Sequence, residues 1–127
     1  MGLWFAILVG GALGSAARHG VNVAVSRWLE SGAPYATAAV NLIGSLVIGI
    51  LAGALAAQRL SMTTTVRAFV FVGLLGGFTT FSSFMLDTLT LSEAGSTTAM
   101  IGNLLGQVVV GVLLVYAGYH IGLRAGA

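Results

Sequence analysis

Gly73-Leu74-Leu75-Gly76-Gly77-Phe78-Thr79-Thr80-Phe81-Ser82-Ser83-Phe84 is the stretch on which the fold turns. It sits inside a hydrophobic segment that runs from near Ala68 to near Leu91, longer than the about 20 residues that a membrane-spanning helix needs. Gly in a helix interior costs about 1 kcal/mol relative to Ala. Two Gly followed by two Thr therefore predict a helix that loosens or breaks over Gly76–Thr80. Carbonyls freed at membrane depth need another partner, and irregular backbone is tolerated there only when buried in protein or lining a polar cavity. In broken membrane helices such carbonyls can bind Na+; Thr hydroxyls patching the gap are the plainer alternative. Phe81 and Phe84 follow at i, i+3 on one helix face, with Ser82 and Ser83 between them. Packing or lipid contact is the ordinary role of such rings. Their edges are electropositive, however, and a pair of edges could touch a small anion without trapping it, as conduction requires.

The rest of the chain fits a membrane setting. Its 127 residues are 57% hydrophobic and 6% charged, with a mean hydropathy of +1.03, against roughly 25% charged in soluble domains. Three further apolar segments run from about Leu3 to about Trp28, from about Tyr35 to Ala57, and from about Thr97 to Leu123. The turn Glu30-Ser31-Gly32-Ala33-Pro34, the stretch Gln58 to Arg67 and the turn Ser92 to Ser96 separate the four. Pro34 suits the first turn of the second helix. Backbone in lipid must satisfy itself, so the segments read as helices. The fold class is an all-α membrane protein, with four transmembrane helices in one domain over residues 1–127 and the third helix broken mid-membrane. The first segment carries Arg18-His19 and is followed by three more, so it does not read as a cleaved signal. Five Arg against three acids, with no basic cluster, do not indicate nucleic-acid binding, and the absence of Cys excludes disulfides and thiolate chemistry.

Small and polar residues recur at four-residue spacing. Gly10 and Gly14 do so in the first helix, Thr37, Asn41, Ser45, Gly49 and Gly53 in the second, and Asn103, Gln107 and Gly111 in the fourth. Small residues at i, i+4 let membrane helices approach closely, so helix packing is the default role of the glycines. Two polar side chains are harder to absorb. A charge in the membrane interior costs roughly 3 to more than 10 kcal/mol, so Arg18 either snorkels to the surface or faces a wet vestibule that draws anions in. Asn41 either hydrogen-bonds between helices or donates N–H to a passing anion.

These residues resemble the Fluc (CrcB-type) fluoride channels of bacteria, over all four helices. The resemblance rests on GGALGSAAR at Gly10–Arg18, VNLIGS at Val40–Ser45 and GLLGGFTTFSSF at Gly73–Phe84. It implies passive, selective export of fluoride across the plasma membrane by a dimer of two antiparallel subunits with two pores. It also implies that Phe81 and Phe84 form an aromatic box, that Asn41 is a pore-side donor, and that Arg18, Ser82, Ser83 and Gln107 flank the ion pathway. The backbone carbonyls of Gly76 and Thr79 would hold one structural Na+, which is not the transported ion. His19, Met85, Gln107 and Gly111 depart from the family pattern. Gln107 stands where Ser is common and Gly111 where Thr is common, which thins the expected hydroxyl track of the fourth helix.

Arg59, Arg67 and Arg124 fall on the side of the termini, against Arg27 on the other, plus Arg18 if it snorkels there, which favours cytoplasmic termini. Such a bias also allows this chain to be one half of a heterodimer, a non-conducting or partly conducting subunit, as the alternative to a homodimer. A small proton-coupled multidrug exporter would need a mid-membrane carboxylate, and Glu30, Glu93 and Asp87 fall in turns or near a helix end. A non-transporting scaffold subunit is the remaining rival. No paired carboxylates or nucleophile–base pair suggest an enzyme.

Overall fold

The computed structural model describes residues 2–29 and 32–125, and every element among them is helical. Helix α1 spans Gly2–Ser26 and α2 spans Ala33–Ala56. Helix α3 covers residues 64–78, starting as ordinary α-helix over Thr64–Arg67, widening to π-helix over Ala68–Leu75 and closing as α-helix over Gly76–Phe78. Helix α4 is Phe81–Glu93 and α5 is Thr97–Arg124. Pro34 sits in the first turn of α2, as expected; Glu30 and Ser31 of the expected turn fall outside the described residues. Helix α2 ends where Gln58 turns left-handed at φ 54°, the usual geometry just past a helix end. The expected loop from Gln58 to Arg67 is shorter than read, because the Thr63 side chain accepts from the Val66 N–H at 3.3 Å and starts α3 at Thr64.

Among the described residues three stretches are long and apolar enough to cross a membrane: Ala33–Ala56, Thr64–Glu93 and Thr97–Arg124. Helix α1 was expected to be a fourth. Its 25 residues give it the length, at about 1.5 Å per residue, but Arg18 and His19 fall inside it and lower its apolarity.

The bundle is assembled as two pairs joined backbone to backbone, α1 with α3 and α2 with α5. In the first pair, a Cβ on Gly73 would stand 2.9 Å from the Gly10 Cα, and one on Gly77 would stand 2.6 Å from the Gly11 carbonyl oxygen. One on Gly14 would overlap the Leu74 carbonyl. In the second pair, Gly49 and Gly53 lie against the backbone at Val115 and Tyr119, while Gly118 and Gly122 lie against Leu46 and Ile50. Each helix thus gives its seam two glycines one turn apart, and any side chain would wedge the backbones apart. Apolar burial contributes little: among the described residues only Ala36, Val40, Leu75 and Phe84 are buried apolar side chains, whereas Trp4, Phe5, Leu8, Val112 and Tyr116 lie exposed. That distribution suits a bundle whose outside faces lipid.

The break falls within the expected stretch but is confined to its end. Gly76 keeps helical dihedrals (φ −64°, ψ −34°), and Gly77 is helical too. The chain unwinds at Thr79 (φ −84°, ψ 160°) and Thr80 (φ −154°, ψ 121°). Gly77 is occupied in packing on Gly11, so tertiary contact overrides its weak helix propensity. The two Thr end one helix and start the next. Thr79 Oγ1 donates back to the Leu75 carbonyl at 2.9 Å, and Thr80 Oγ1 accepts from the Ser83 N–H at 3.3 Å to cap α4.

Candidate functional site

Two extended residues inside a membrane helix leave main-chain groups without helical partners, and the side chain of Asn41 meets those of Thr80. Its Oδ1 accepts from the Thr80 N–H at 2.8 Å, and its Nδ2 donates to the Thr80 carbonyl at 3.0 Å. Asn41 therefore pairs with the gap as a neighbouring strand would. The same Nδ2 donates to Gln107 Oε1 at 2.8 Å. Both of its N–H donors are engaged, so in this arrangement Asn41 bridges the break to Gln107 and presents no spare N–H.

From Asn41 the hydrogen bonds continue across the bundle. Gln107 Nε2 donates to Asn103 Oδ1 at 2.9 Å, Asn103 Nδ2 to Thr88 Oγ1 at 2.9 Å, and Thr88 Oγ1 to the Phe84 carbonyl at 2.8 Å. Amides thus stand beside α4 where hydroxyls were expected. Gln107 is buried, at 8% exposure, which its hydrogen bonds make tolerable.

Arg18 stands beside the break. It is part-buried, and its Nη1 reaches toward the Thr79 carbonyl at 3.4 Å, a long contact that brings positive charge to the break. Gly44 makes room for this turn, since a Cβ there would overlap Thr79 Cγ2. Ser83 Oγ accepts from Thr80 Oγ1 at 3.1 Å, and Ser82 Oγ lies 3.4 Å from the same hydroxyl.

A cleft of about 350 Å³ opens beside the break, lined by Asn41, Ser45, Gly76, Thr79, Thr80 and Phe81 among others. The two expected rings differ in setting. Phe84 is 4% exposed and Phe81 is 73% exposed; they meet edge to face, with centroids 5.9 Å apart and planes at 77°. Only Phe81 of the pair lines the cleft. Gly76 and Thr79, the expected carbonyl ligands, line it together. The Gly76 carbonyl has lost its helical donor, because the Thr80 N–H goes to Asn41. An uncharged oxygen set suits a hard alkali cation, and no group of three or more His, Cys, Asp or Glu occurs among the described residues to suit a softer metal. The donor set therefore fits Na+, although Thr79 shares its oxygen with Arg18.

Sequence reading had Thr80 only as part of the break, and missed Thr88 and the linking role of Asn103. The four-residue spacing of Asn103 and Gln107 was the available signal; nothing marked Thr88. Asp87 was read as near a helix end. It lies toward the end of the Thr64–Glu93 span, within α4 after the break, with its Oδ2 buried and without a hydrogen-bond partner. That keeps it away from the middle of the span, where an exporter needs its carboxylate.

Comparison with known proteins decides that point. A family model described as CrcB-like protein, Camphor Resistance (CrcB), matches residues 5–119. A fluoride-specific ion channel FluC of Paracoccus denitrificans is 46% identical over 119 residues, 91% of this chain and 90% of its own. The FluC of Nitrobacter winogradskyi is 44% identical over 116 residues, 91% of each chain. That of Rhodospirillum centenum is 42% identical over 123 residues, 97% of this chain and 94% of its own.

Proposed function

The chain belongs to the CrcB-like protein family, and on that premise we propose that it is a fluoride-specific ion channel, not an enzyme. Fluoride enters acid-exposed cells as HF, ionises inside and needs an exit; the channel provides one without energy coupling. The observation that carries the reading is the cleft at Thr79–Thr80, where a broken helix, an amide clamp, an exposed ring and a guanidinium converge. Arg18 raises the local anion concentration. Ser82, Ser83 and Gln107 offer polar contacts, Asn41 keeps the gap open, and the ring edges of Phe81 and Phe84 give weak contacts that let the ion leave.

Phe81 at 73% exposure calls for a cover if its ring is to border a closed path. The cover is a second subunit in the opposite orientation, a copy of this chain or a paralogue, in the plasma membrane. Arg59 supports the placing of the termini: its Nη1 donates to the carbonyls of Arg124 and Ala125 at 3.1 and 2.6 Å, so the α2–α3 loop and the end of α5 share one side. The carbonyls of Gly76 and Thr79 would hold a structural Na+, whose charge satisfies oxygens that the break leaves bare.

The test is efflux from liposomes holding the purified chain, followed with a fluoride electrode and against chloride. Fast fluoride release with none of chloride is expected; equal rates for both, or no release, would reject the reading. Replacing Na+ by N-methylglucamine is expected to silence the flux, and full flux without Na+ would remove the metal from the account.

A further inference from the structure

The end of α5 carries a cation, with aromatic rings one and two turns before it, on a face turned away from the bundle. Gly118 and Gly122 press α5 onto α2. At 3.6 residues per turn, His120 stands on the far side from them, between Tyr116 and Arg124 at four-residue spacing. Val109 and Leu113 continue the same face toward the membrane centre. Val109, Leu113 and Tyr116 are exposed, and so is Arg124. The His120 ring is held edge-on between Tyr116, with centroids 4.4 Å apart, and Tyr119, at 6.0 Å. Along the helix this face therefore runs aliphatic, aromatic, cationic, the order in which a phospholipid presents its tail, its glycerol region and its phosphate. Tyr gathers at headgroup level in membrane proteins, and an Arg stem can lie along apolar surface with its head in the wet layer.

A helix C-terminus alone disfavours anions, because its free carbonyls carry partial negative charge. Arg59 offsets that here. It comes from the α2–α3 loop, and its Nη1 donates to the carbonyls of Arg124 and Ala125. Both Nη1 hydrogens are engaged in this way, while the Nε and Nη2 N–H groups have no acceptor among the described residues. They stand beside the residue that bears the second guanidinium. None of the three acids in the sequence falls in the α2–α3 loop or in α5. Arg67, exposed in the first turn of α3, adds positive potential on the same side.

We propose that Arg59 and Arg124 together bind the phosphate of an anionic phospholipid, whose acyl chain lies along Leu113 and Val109 beside the Tyr116 ring. Guanidinium forks match phosphate oxygens, and the apolar part of the face favours a lipid over a free phosphate. The site lies at the rim of the bundle, away from the break, and stands independently of the channel reading. A lipid held there ties the α2–α3 loop and the end of α5 to one leaflet.

The test is native mass spectrometry of the full chain in detergent, titrated separately with phosphatidylglycerol, phosphatidylcholine of the same acyl chains, and inorganic phosphate. Wild type is expected to hold phosphatidylglycerol about fivefold tighter than phosphatidylcholine, the scale of one Arg near an anionic lipid surface, or more. Arg124→Gln keeps the main-chain carbonyls that Arg59 grips and should erase most of that preference. Arg59→Gln should do the same and also lower the melting temperature, since α5 loses its cap; Arg124→Gln decides the matter if that variant does not fold. Arg27→Gln, on the opposite side, should bind as wild type does. Equal retention of the two lipids by the wild type overturns the proposal, as does a preference that survives in Arg124→Gln. An equal loss in Arg27→Gln overturns it too, by showing that net charge alone is read. Arginine-dependent binding of inorganic phosphate without a lipid preference would make this a free-anion site and would also overturn it.

Discussion

The glycine seams and the Thr79–Thr80 break solve opposite problems within the same bundle. At the seams, side chains are absent so that main chain can lie on main chain; Gly53 faces the Tyr119 carbonyl and Gly122 that of Ile50. At the break, main chain has left its helix and side chains must stand in for it, as Asn41 does at Thr80. The seams tolerate no added atom and the break no missing hydrogen bond. A rigid frame built by subtraction thus carries a polar gap built by addition, and damage to the two should look different.

The largest effect should come from filling a seam. Gly53→Leu would push a side chain into the Tyr119 backbone. Overpacking that side chains can absorb costs about 1–3 kcal/mol, and a main-chain obstruction absorbs less. The variant should fail to give monodisperse protein on size exclusion in detergent; normal yield and stability would break the comparison. Next is the gap. Asn41→Leu strands the N–H and carbonyl of Thr80, at about 1–3 kcal/mol for each buried group left unsatisfied. Fluoride flux should collapse while assembled protein is still recovered, because the seams are untouched.

The rings sharpen the contrast further. Phe81→Ile and Phe84→Ile are each expected to abolish flux while the protein still assembles as the proposed dimer. Only Phe84→Ile, at a buried position, should also lower the melting temperature, by the equivalent of about 1 kcal/mol; equal melting shifts for both would show that the exposure difference has no weight. The smallest effect belongs to a glycine outside the seams. A Cβ on Gly20 meets nothing, so Gly20→Ala should leave flux alone and shift stability by at most about 1 kcal/mol, upward through helix propensity. Clear destabilisation in a thermal melt would mean that a contact exists there.

Much of the frame was legible beforehand. Gly10, Gly14, Gly49 and Gly53 announce themselves by spacing, since a four-residue repeat of small residues has few other uses in lipid. Which helix each pair meets was not legible, because Gly73 and Gly118 find their partners only through tertiary packing. The break was visible as Gly76–Thr80, wider than it is; the contact of Gly77 with Gly11 keeps the glycine turn wound, and only Thr79 and Thr80 unwind. Asn41 was recognisable as a polar residue out of place. Its engagement of both N–H donors depends on where Thr80 and Gln107 come to lie, and a single helix does not encode that. The start of α3 at Thr64 went unread for a simpler reason: one hydroxyl cap at Thr63 outweighed a polar-looking stretch.

So few apolar side chains leave their surroundings when this protomer forms that its thermodynamics should not follow those of a water-soluble bundle. Ala36, Val40, Leu75 and Phe84 are the buried apolar residues described, and hydrocarbon withdrawn from water is what makes unfolding strongly heat-absorbing per degree and stability sharply domed with temperature. In micelles or bilayers the outer side chains stay solvated by acyl chains whether the helices are joined or apart. Calorimetry should therefore return a small heat-capacity increment and a shallow stability profile, with no weakening on cooling of the kind that limits soluble proteins.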